Sequence, residues 1–225
     1  MWQRHVDVMS VIDQDDYDRG LLDYEQQYAR QRHIEEHGFV RITAELTRFL
    51  AQYGPWVEIG AGTGKLSAGI RLAGGRSLAT DNFTGSFFRQ GDWMPAEVFY
   101  ADAERVARLV ARSPTLNLLC SWPYESDWCF RAVRHLRVDQ LFGYIGEGPG
   151  GQTGDVQLHE LLEQDFVAID DMPVVKMLAT IHDHVTIYRR AKVTTPAPHT
   201  GVTSVRVLSR PEAKKPARVT KRHGR

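Results

Sequence analysis

The sequence predicts an α/β fold with a seven-stranded, mostly parallel sheet covered by helices on both faces. Seven short runs rich in β-branched and aromatic residues recur along the chain, at residues 56–59, 77–80, 97–101, 115–120, 140–145, 166–169 and 184–189. Helical periodicity separates most of these runs, and strands that alternate with helices are typical of a parallel sheet. No helical pattern separates the last two runs, which predicts that the final strand is antiparallel.

Composition divides the 225-residue chain into three regions. Residues 1–38 are polar and predict a helical N-terminal extension that ends at Gly38. Residues 39–191 form the predicted main domain, which opens with a helix over residues 40–50 that Gly54 and Pro55 end. Residues 192–225 carry 9 of the 28 basic and 1 of the 28 acidic residues, so this tail holds about +8 and the rest, with 19 basic and 27 acidic residues, about −8. The tail is rich in proline and predicts a disordered basic segment.

Composition also limits the classes of protein to which the chain can belong. No apolar leader opens the sequence and no run approaches 18 apolar residues, so we expect no membrane contact and a cytoplasmic location. Cys120 and Cys129 are the two cysteines, and we expect both to be reduced and inert. Residues 33–37 spell H-x-x-E-H, a zinc-peptidase pattern, with His33 and His37 on one helix face. No third ligand follows, so we expect a solvated helix and no metal site.

The stretch "VEIGAGTGKLS", residues 57–67, follows an apolar strand and could begin one of three kinds of nucleotide site. A phosphate-binding loop requires G-x-x-x-x-G-K-[ST], but Ile59 stands where the first glycine belongs and Leu66 where the hydroxyl belongs. A dinucleotide fingerprint requires G-x-G-x-x-G, and Lys65 occupies the position of its third glycine. Both of these sites are therefore disfavoured.

The pattern Glu58-x-Gly60-x-Gly62-x-Gly64 resembles the class I S-adenosylmethionine (SAM)-dependent methyltransferases, and the resemblance extends over about residues 57–190. It implies a Rossmann-like, doubly wound sheet and SAM as the cofactor. Glycines after the first strand let the backbone approach a ligand closely, and the N-terminus of the next helix favours a carboxylate. The implied reaction is in-line displacement of the SAM methyl group onto an acceptor.

The resemblance assigns the cofactor site to the ends of the first four strands. Asp81, seventeen residues past Gly64, can accept both ribose hydroxyls. Asp102 follows the third strand and would contact the adenine amino group, and Glu58 would lie near the amino acid end of SAM. The predicted cofactor-binding residues are Glu58, Gly60, Ala61, Gly62, Gly64, Asp81, Asn82, Asp102, Ala103, Ser121 and Trp122.

Two further segments predict the acceptor site. "CSWPYES", residues 120–126, resembles the [DNS]-P-P-[YFW] motif of amino-methyltransferases, except that Trp122 replaces the first proline. "GEGPGGQTGD", residues 146–155, holds five glycines before a helix that Thr153 or Asp155 could cap. Together with "IHDHVTIYRR" these segments resemble a set of bacterial and phage methyltransferase-like proteins. The predicted catalytic residues are Ser121, Pro123, Tyr124, Glu147, His182 and Asp183.

The leading hypothesis is a SAM-dependent methyltransferase with an unidentified acceptor. One alternative is a nucleic-acid methyltransferase that acts on base amino groups through the "SWPY" segment and binds phosphates through the basic tail. The other is a non-catalytic module that binds SAM, or an acidic partner through the same tail. The expected partners are thus the methyl acceptor and a nucleic acid or an acidic protein.

Overall fold

The computed structural model describes residues 32–34, 38–84, 97–124, 126–174 and 182–192. Most of the predicted N-terminal extension and all but Lys192 of the predicted basic tail lie outside these ranges. The domain boundaries at residues 38 and 192 therefore stay predictions, as does the solvated helix over the H-x-x-E-H pattern.

Seven strands form one sheet in the described part of the chain, in the order β3-β2-β1-β4-β5-β7-β6. The strands are β1 (Trp56–Ile59), β2 (Ser77–Asp81), β3 (Val98–Tyr100), β4 (Asn117–Ser121), β5 (Leu141–Gly146), β6 (Phe166–Pro173) and β7 (His184–Arg190). All pairs from β3 to β5 are parallel, whereas β7 runs antiparallel to both β5 and β6. The predicted Rossmann-like sheet with an antiparallel last strand is confirmed.

The described helices flank these strands: α1 (Ala44–Ala51), α2 (Lys65–Leu72), α3 (Ala103–Val110), α4 (Trp128–Val133) and α5 (Val156–Asp165). The first helix was expected over residues 40–50 but begins later, because Thr43 is extended and its hydroxyl accepts the Leu46 N–H at 3.1 Å. Helix α4 was not predicted, since its six residues are too few for a helical period to show. Of the two capping candidates before α5, Asp155 caps the helix and Thr153 does not.

Two hydrophobic clusters cover opposite faces of the sheet. Successive side chains of β4 point to opposite faces, so neighbouring residues belong to different clusters. Leu118 packs with α3, α4 and α5 on one face, and its neighbour Leu119 packs with α1 and α2 on the other. Trp56 is fully buried among the second set, and its indole N–H donates to the Leu50 carbonyl at 2.7 Å. Burial on both faces explains the consecutive apolar residues of β4 and β5, Leu118 to Cys120 and Tyr144 to Ile145.

Several expectations from composition concern the described residues. Cys120 and Cys129 are both free and buried, and burial raises the pKa of the Cys120 thiol. None of the described helices is long and apolar enough to cross a membrane. Within the same ranges, no group of three or more His, Cys, Asp or Glu side chains is arranged to hold a metal ion.

A buried ion pair fastens the end of β7 to α5. Arg190 Nη2 lies 2.9 Å from Asp165 Oδ2, and both side chains are almost wholly inaccessible to solvent. Three further guanidinium N–H groups donate to the main-chain carbonyls of Arg134, Leu136 and Lys192 at 2.6, 2.7 and 2.9 Å. One arginine thus connects α5, β7 and the segment after α4.

We expect Asp165→Ala to lower the free energy of unfolding by about 3–5 kcal/mol, because it leaves the Arg190 charge buried without its carboxylate. Arg108→Ala is the control, since Arg108 forms an exposed (i, i+4) pair with Glu104, and such a pair contributes about 0.3–0.5 kcal/mol. Urea unfolding measures both values. Similar small losses for the two variants would contradict the structural role given to Arg190.

Candidate functional site

The predicted glycine loop follows β1 at the carboxyl edge of the sheet and has the backbone conformation that favours glycine. Gly60, Gly62 and Gly64 have φ angles of 64°, 54° and 70°. A Cβ atom on Gly64 would lie 2.5 Å from Val98 Cγ2, and one on Gly60 would lie 2.8 Å from Trp128 Cη2. Gly60 and Gly64 therefore require glycine for two reasons, the left-handed backbone and the lack of space, and Gly62 requires it for the first.

Asp81 ends β2 beside this loop and fixes its shape. Its Oδ2 accepts the Gly62 N–H at 2.8 Å, and its Oδ1 accepts the Phe83 N–H at 2.7 Å. The Ala61 N–H also donates to the Thr80 carbonyl of β2, at 3.0 Å. A carboxylate has about four acceptor positions, so Asp81 retains two for a ligand. The sequence assigned Asp81 to the cofactor site from its distance along the chain, but the hydrogen bond to the glycine loop is seen only in the structure.

Glu58 lies in the packed interface between β1 and α2. It is 1% exposed, and the Ser67 hydroxyl donates to its Oε2 at 2.5 Å. Burial, opposed by the hydrogen bond from Ser67 and reinforced by the charge of Asp81, raises the pKa of Glu58 to about 7. The carboxyl group therefore connects β1 to α2 and changes its charge near neutral pH.

The outer part of the predicted cofactor site follows β2 and β3. The Asn82 side chain accepts the Thr84 N–H at 3.1 Å, and Asp102 Oδ1 accepts the Arg105 N–H at 2.9 Å as the N-cap of α3. Ala103 is the first residue of that helix. Since β2 and β3 are adjacent and parallel, these side chains share the edge of the sheet with Asp81. An adenine contact for Asp102 stays a prediction.

The "SWPY" segment leaves β4 through a strained residue. Ser121 ends the strand, and Trp122 is buried with a φ of 53°, which a bulky residue rarely adopts. Its indole N–H donates to Asp183 Oδ1 at 2.8 Å, and its ring stacks on Phe39 with centroids 4.9 Å apart and planes at 3°. Tyr124 meets the same Phe39 ring edge to face, with centroids 5.3 Å apart. An aromatic cluster thus lies beside the end of β4.

The glycine-rich loop after β5 is organised around Glu147. One carboxylate oxygen accepts the Gln152 N–H at 2.6 Å, and the other accepts the His182 N–H at 3.0 Å, which joins the loop to the segment before β7. The Glu147 N–H donates to the Thr153 hydroxyl oxygen at 2.6 Å, and that oxygen lies 2.8 Å from the Tyr144 hydroxyl. Buried side chains therefore hold the loop in one conformation.

A cavity of about 750 Å³, here called the Glu147 pocket, opens beside this loop. Its lining consists of Tyr124, Glu147, Gly148, Pro149, Gly150, Gly151, Gln152 and His182. The Pro123 carbonyl accepts the Gly154 N–H at 3.0 Å, so the "SWPY" segment and the glycine-rich loop are joined. Three of the six predicted catalytic residues, Tyr124, Glu147 and His182, meet in this pocket. Asp183 does not line it and instead binds Trp122.

Four residues that sequence reasoning did not single out for the site contribute to its geometry: Phe39, Ser67, Trp128 and Thr153. Phe39 and Trp128 come from segments distant in sequence from their partners, and no motif marks them. Ser67 lies nine residues after Glu58, in the helix that follows the glycine loop, so its position on the inner face of α2 is the signal that could have identified it. The sequence marks Thr153 only as a candidate helix cap, and its hydrogen bond to Tyr144 forms only in the folded chain.

We expect Glu58 to make stability depend on pH. The pKa of Glu58 is about 7 in the folded protein against 4.5 for the free side chain, so between these pH values the folded state binds more protons than the unfolded state. The free energy of unfolding should therefore fall by about 3 kcal/mol as the pH rises from about 4.5 to 7. Glu58→Gln should remove this loss, and the exposed Glu163→Gln should not. Urea unfolding of the three proteins at several pH values measures the effect. If the free energy of unfolding changed with pH in the same way for wild type and Glu58→Gln, this role of Glu58 would be contradicted.

No protein-family model and no curated protein sequence matches the chain. Solved structures do match it. The O-methyltransferase TomG from Streptomyces achromogenes, in complex with SAM, is 18% identical, with 79% of this chain and 96% of that chain covered and a TM-score of 0.43. The 1,6-didemethyltoxoflavin-N1-methyltransferase from Burkholderia thailandensis, with its namesake compound and S-adenosylhomocysteine bound, is 19% identical over 76% and 86% of the two chains, with a TM-score of 0.46.

A TehB-like SAM-dependent methyltransferase from Corynebacterium glutamicum is 16% identical over 74% of this chain and 97% of that chain, with a TM-score of 0.44. All three similar structures are methyltransferases, and the likeness to them is one of fold.

Proposed function

We propose that the chain is a SAM-dependent methyltransferase. The observation that carries the proposal is the contact between Asp81 and Gly62 at the carboxyl edge of β1 and β2. The order of the sheet reverses between β1 and β4, and in doubly wound sheets ligands bind in the crevice at such a point. The glycines of this loop have left-handed backbone conformations, and a buried carboxylate lies beside them. Such a site can bind the nucleoside part of a ligand that carries no phosphate group.

The residues present fit SAM. Asp81 is buried and has two unused acceptor positions for a pair of ribose hydroxyls. Gly60 and Gly62 present bare backbone to the same crevice, and α2 begins directly after Gly64, where its N-terminus favours a carboxylate. Bound there, SAM supplies a methyl group on an electrophilic sulfonium. The chain's own task is to hold the acceptor in line with that methyl group and to exclude water.

The acceptor would bind beside the ends of β4 and β5. Trp122 and Phe39 form an apolar wall there, and Glu147 and His182 line the adjoining pocket. Asp183 accepts the Trp122 indole N–H and so fixes the position of the indole ring, which makes Asp183 a positioning residue. Glu147 and His182 carry the groups that can hold or accept a proton at the acceptor. The nucleic-acid alternative depends on the "SWPY" segment and the basic tail, and the non-catalytic alternative on SAM binding without transfer or on the same tail. Neither alternative receives support from the described residues.

We expect SAM to stabilise the full chain. At 100 times its dissociation constant it should add about 2.7 kcal/mol, which corresponds to a rise in Tm of about 5–11 °C for a chain of this size. Asp81→Asn should weaken binding about 10- to 100-fold, because it removes a charged acceptor. Asp139→Asn is the control, since this aspartate precedes β5 at the opposite edge of the sheet. No change in Tm with SAM would contradict the proposed function.

We expect Gly64→Ala to lower the affinity for SAM at least about tenfold. The new methyl group would meet Val98 and displace the glycine loop. Gly74→Ala is the matched control, because Gly74 also has a positive φ but has no atom within 4 Å of the added Cβ. Isothermal titration measures both affinities. The double variant Gly64→Ala/Val98→Ala should recover part of the loss, and its failure to do so would show that space at Gly64 is not the cause.

A further inference from the structure

We propose that the Glu147 pocket binds the methyl acceptor as a cationic amine, that is, a primary or secondary ammonium group on an aromatic or apolar body. The identification of this ligand as the methyl acceptor rests on the proposed function. The preference of the pocket for an ammonium group stands on the pocket's own residues and can be tested without methyl transfer.

The charge of the pocket supports an ammonium ligand. Glu147 is 6% exposed, and its two oxygens each accept one backbone N–H. About half of the acceptor positions of a carboxylate are then still available. Among the residues that the structure describes, no lysine or arginine lines the cavity and no cation pairs with Glu147. Neutral donors satisfy the carboxylate without cancelling its charge, so the pocket repels an anionic ligand and attracts a cationic one.

The aromatic side chain at the mouth of the pocket supports the same ligand class. Tyr124 lines the cavity and is 45% exposed, so part of its ring remains available for a ligand. Phe39 holds this ring edge to face. A cation over the face of a tyrosine is attracted by the ring quadrupole, and an aromatic body would pack on the same surface. The volume of about 750 Å³ lies within the range for small-molecule sites.

The pocket is also rigid, which favours selective binding. The Tyr144 hydroxyl donates to the Glu147 carbonyl at 3.0 Å, and Thr153 pairs with Tyr124 in an isolated β-bridge. The backbone segments that carry Glu147 and Tyr124 are thus held together. A fixed pair of groups loses little entropy when a ligand binds.

Transfer to an amine requires the ammonium group to lose one proton before the new bond forms. Glu147 holds the ammonium form, one N–H proton passes to the ring of His182 or to water, and the freed lone pair forms the N–C bond to the methyl group. The C–S bond of SAM breaks, and its electron pair stays with S-adenosylhomocysteine. The methylated amine is formed directly as an ammonium cation and leaves in that form, and the released proton passes to solvent.

The test compares three ligands of matched size with different charge: 2-phenylethylamine, 2-phenylethanol and 3-phenylpropionate. Affinities are measured by ligand-observed NMR on the full chain near pH 7, with and without S-adenosylhomocysteine. We expect the amine to bind at least about tenfold more tightly than the alcohol, and the carboxylate to bind most weakly. Equal or tighter binding of the alcohol or the carboxylate, or no binding of the amine up to about 10 mM, would overturn the proposal.

Two variants locate the effect. Glu147→Gln should bring the amine and the alcohol within about twofold of each other, and Tyr124→Leu should reduce their ratio in part. Glu163→Gln, on an exposed position of α5, should leave the ratio unchanged. If Glu147→Gln does not fold, the ligand series on wild type still decides the question. SAM binding without a preference for the amine refutes this inference alone, whereas a preference for the amine without SAM binding refutes the proposed function alone.

Discussion

The parallel pairing of β1 with β4 is the constraint on which the site depends. Ile59 stands opposite Cys120, and Cys120 stands opposite Tyr144 in β5, so the three strands end at one edge of the sheet. Adjacent strands lie about 4.8 Å apart, and the loops that follow them therefore meet within about 10 Å. Because the strand order reverses between β1 and β4, the connections lead to opposite faces and leave a crevice between these loops.

The chemistry of this edge comes from buried carboxylates that neutral groups satisfy. Asp81 and Glu147 accept hydrogen bonds from backbone N–H groups. Asp165, away from this edge, is instead paired with Arg190. Neutral donors lower the cost of burying a carboxylate but leave its charge uncompensated. Asp81 and Glu147 therefore place carboxylates at this edge, and these complement the sulfonium of the proposed cofactor and the ammonium group of the proposed acceptor.

Trp122 shows how the strained part of the site is kept in place. Its left-handed conformation costs on the order of 1–3 kcal/mol, and three contacts offset that cost. The Trp122 N–H donates to the Ile145 carbonyl at 2.7 Å, the indole binds Asp183, and the ring stacks on Phe39. These contacts come from β5, from the segment before β7 and from the segment before α1. The conformation of one residue thus depends on three parts of the fold.

The sequence by itself determined the strands, most of the helices and the glycine loop. These features depend on local patterns: apolar runs for strands, a period of about 3.6 residues for α2, α3 and α5, and glycine where φ is positive. Such patterns do not predict a helix that is too short to show a period, nor a helix boundary that a single side-chain hydrogen bond determines. Helix α4 has too few residues to show a period, and the start of α1 is set by the capping hydroxyl of Thr43.

Only the tertiary structure decided which polar groups meet. The bond from Gly62 to Asp81 spans 19 residues, that from His182 to Glu147 spans 35, and that from Trp122 to Asp183 spans 61. Spacing along the chain carries no information about such contacts, because they depend on strand order and loop conformation. The sequence singled out both Glu147 and Asp183 as candidate catalytic residues. The fold gives them different roles, because Glu147 lines a pocket whereas Asp183 is bonded to the indole of Trp122.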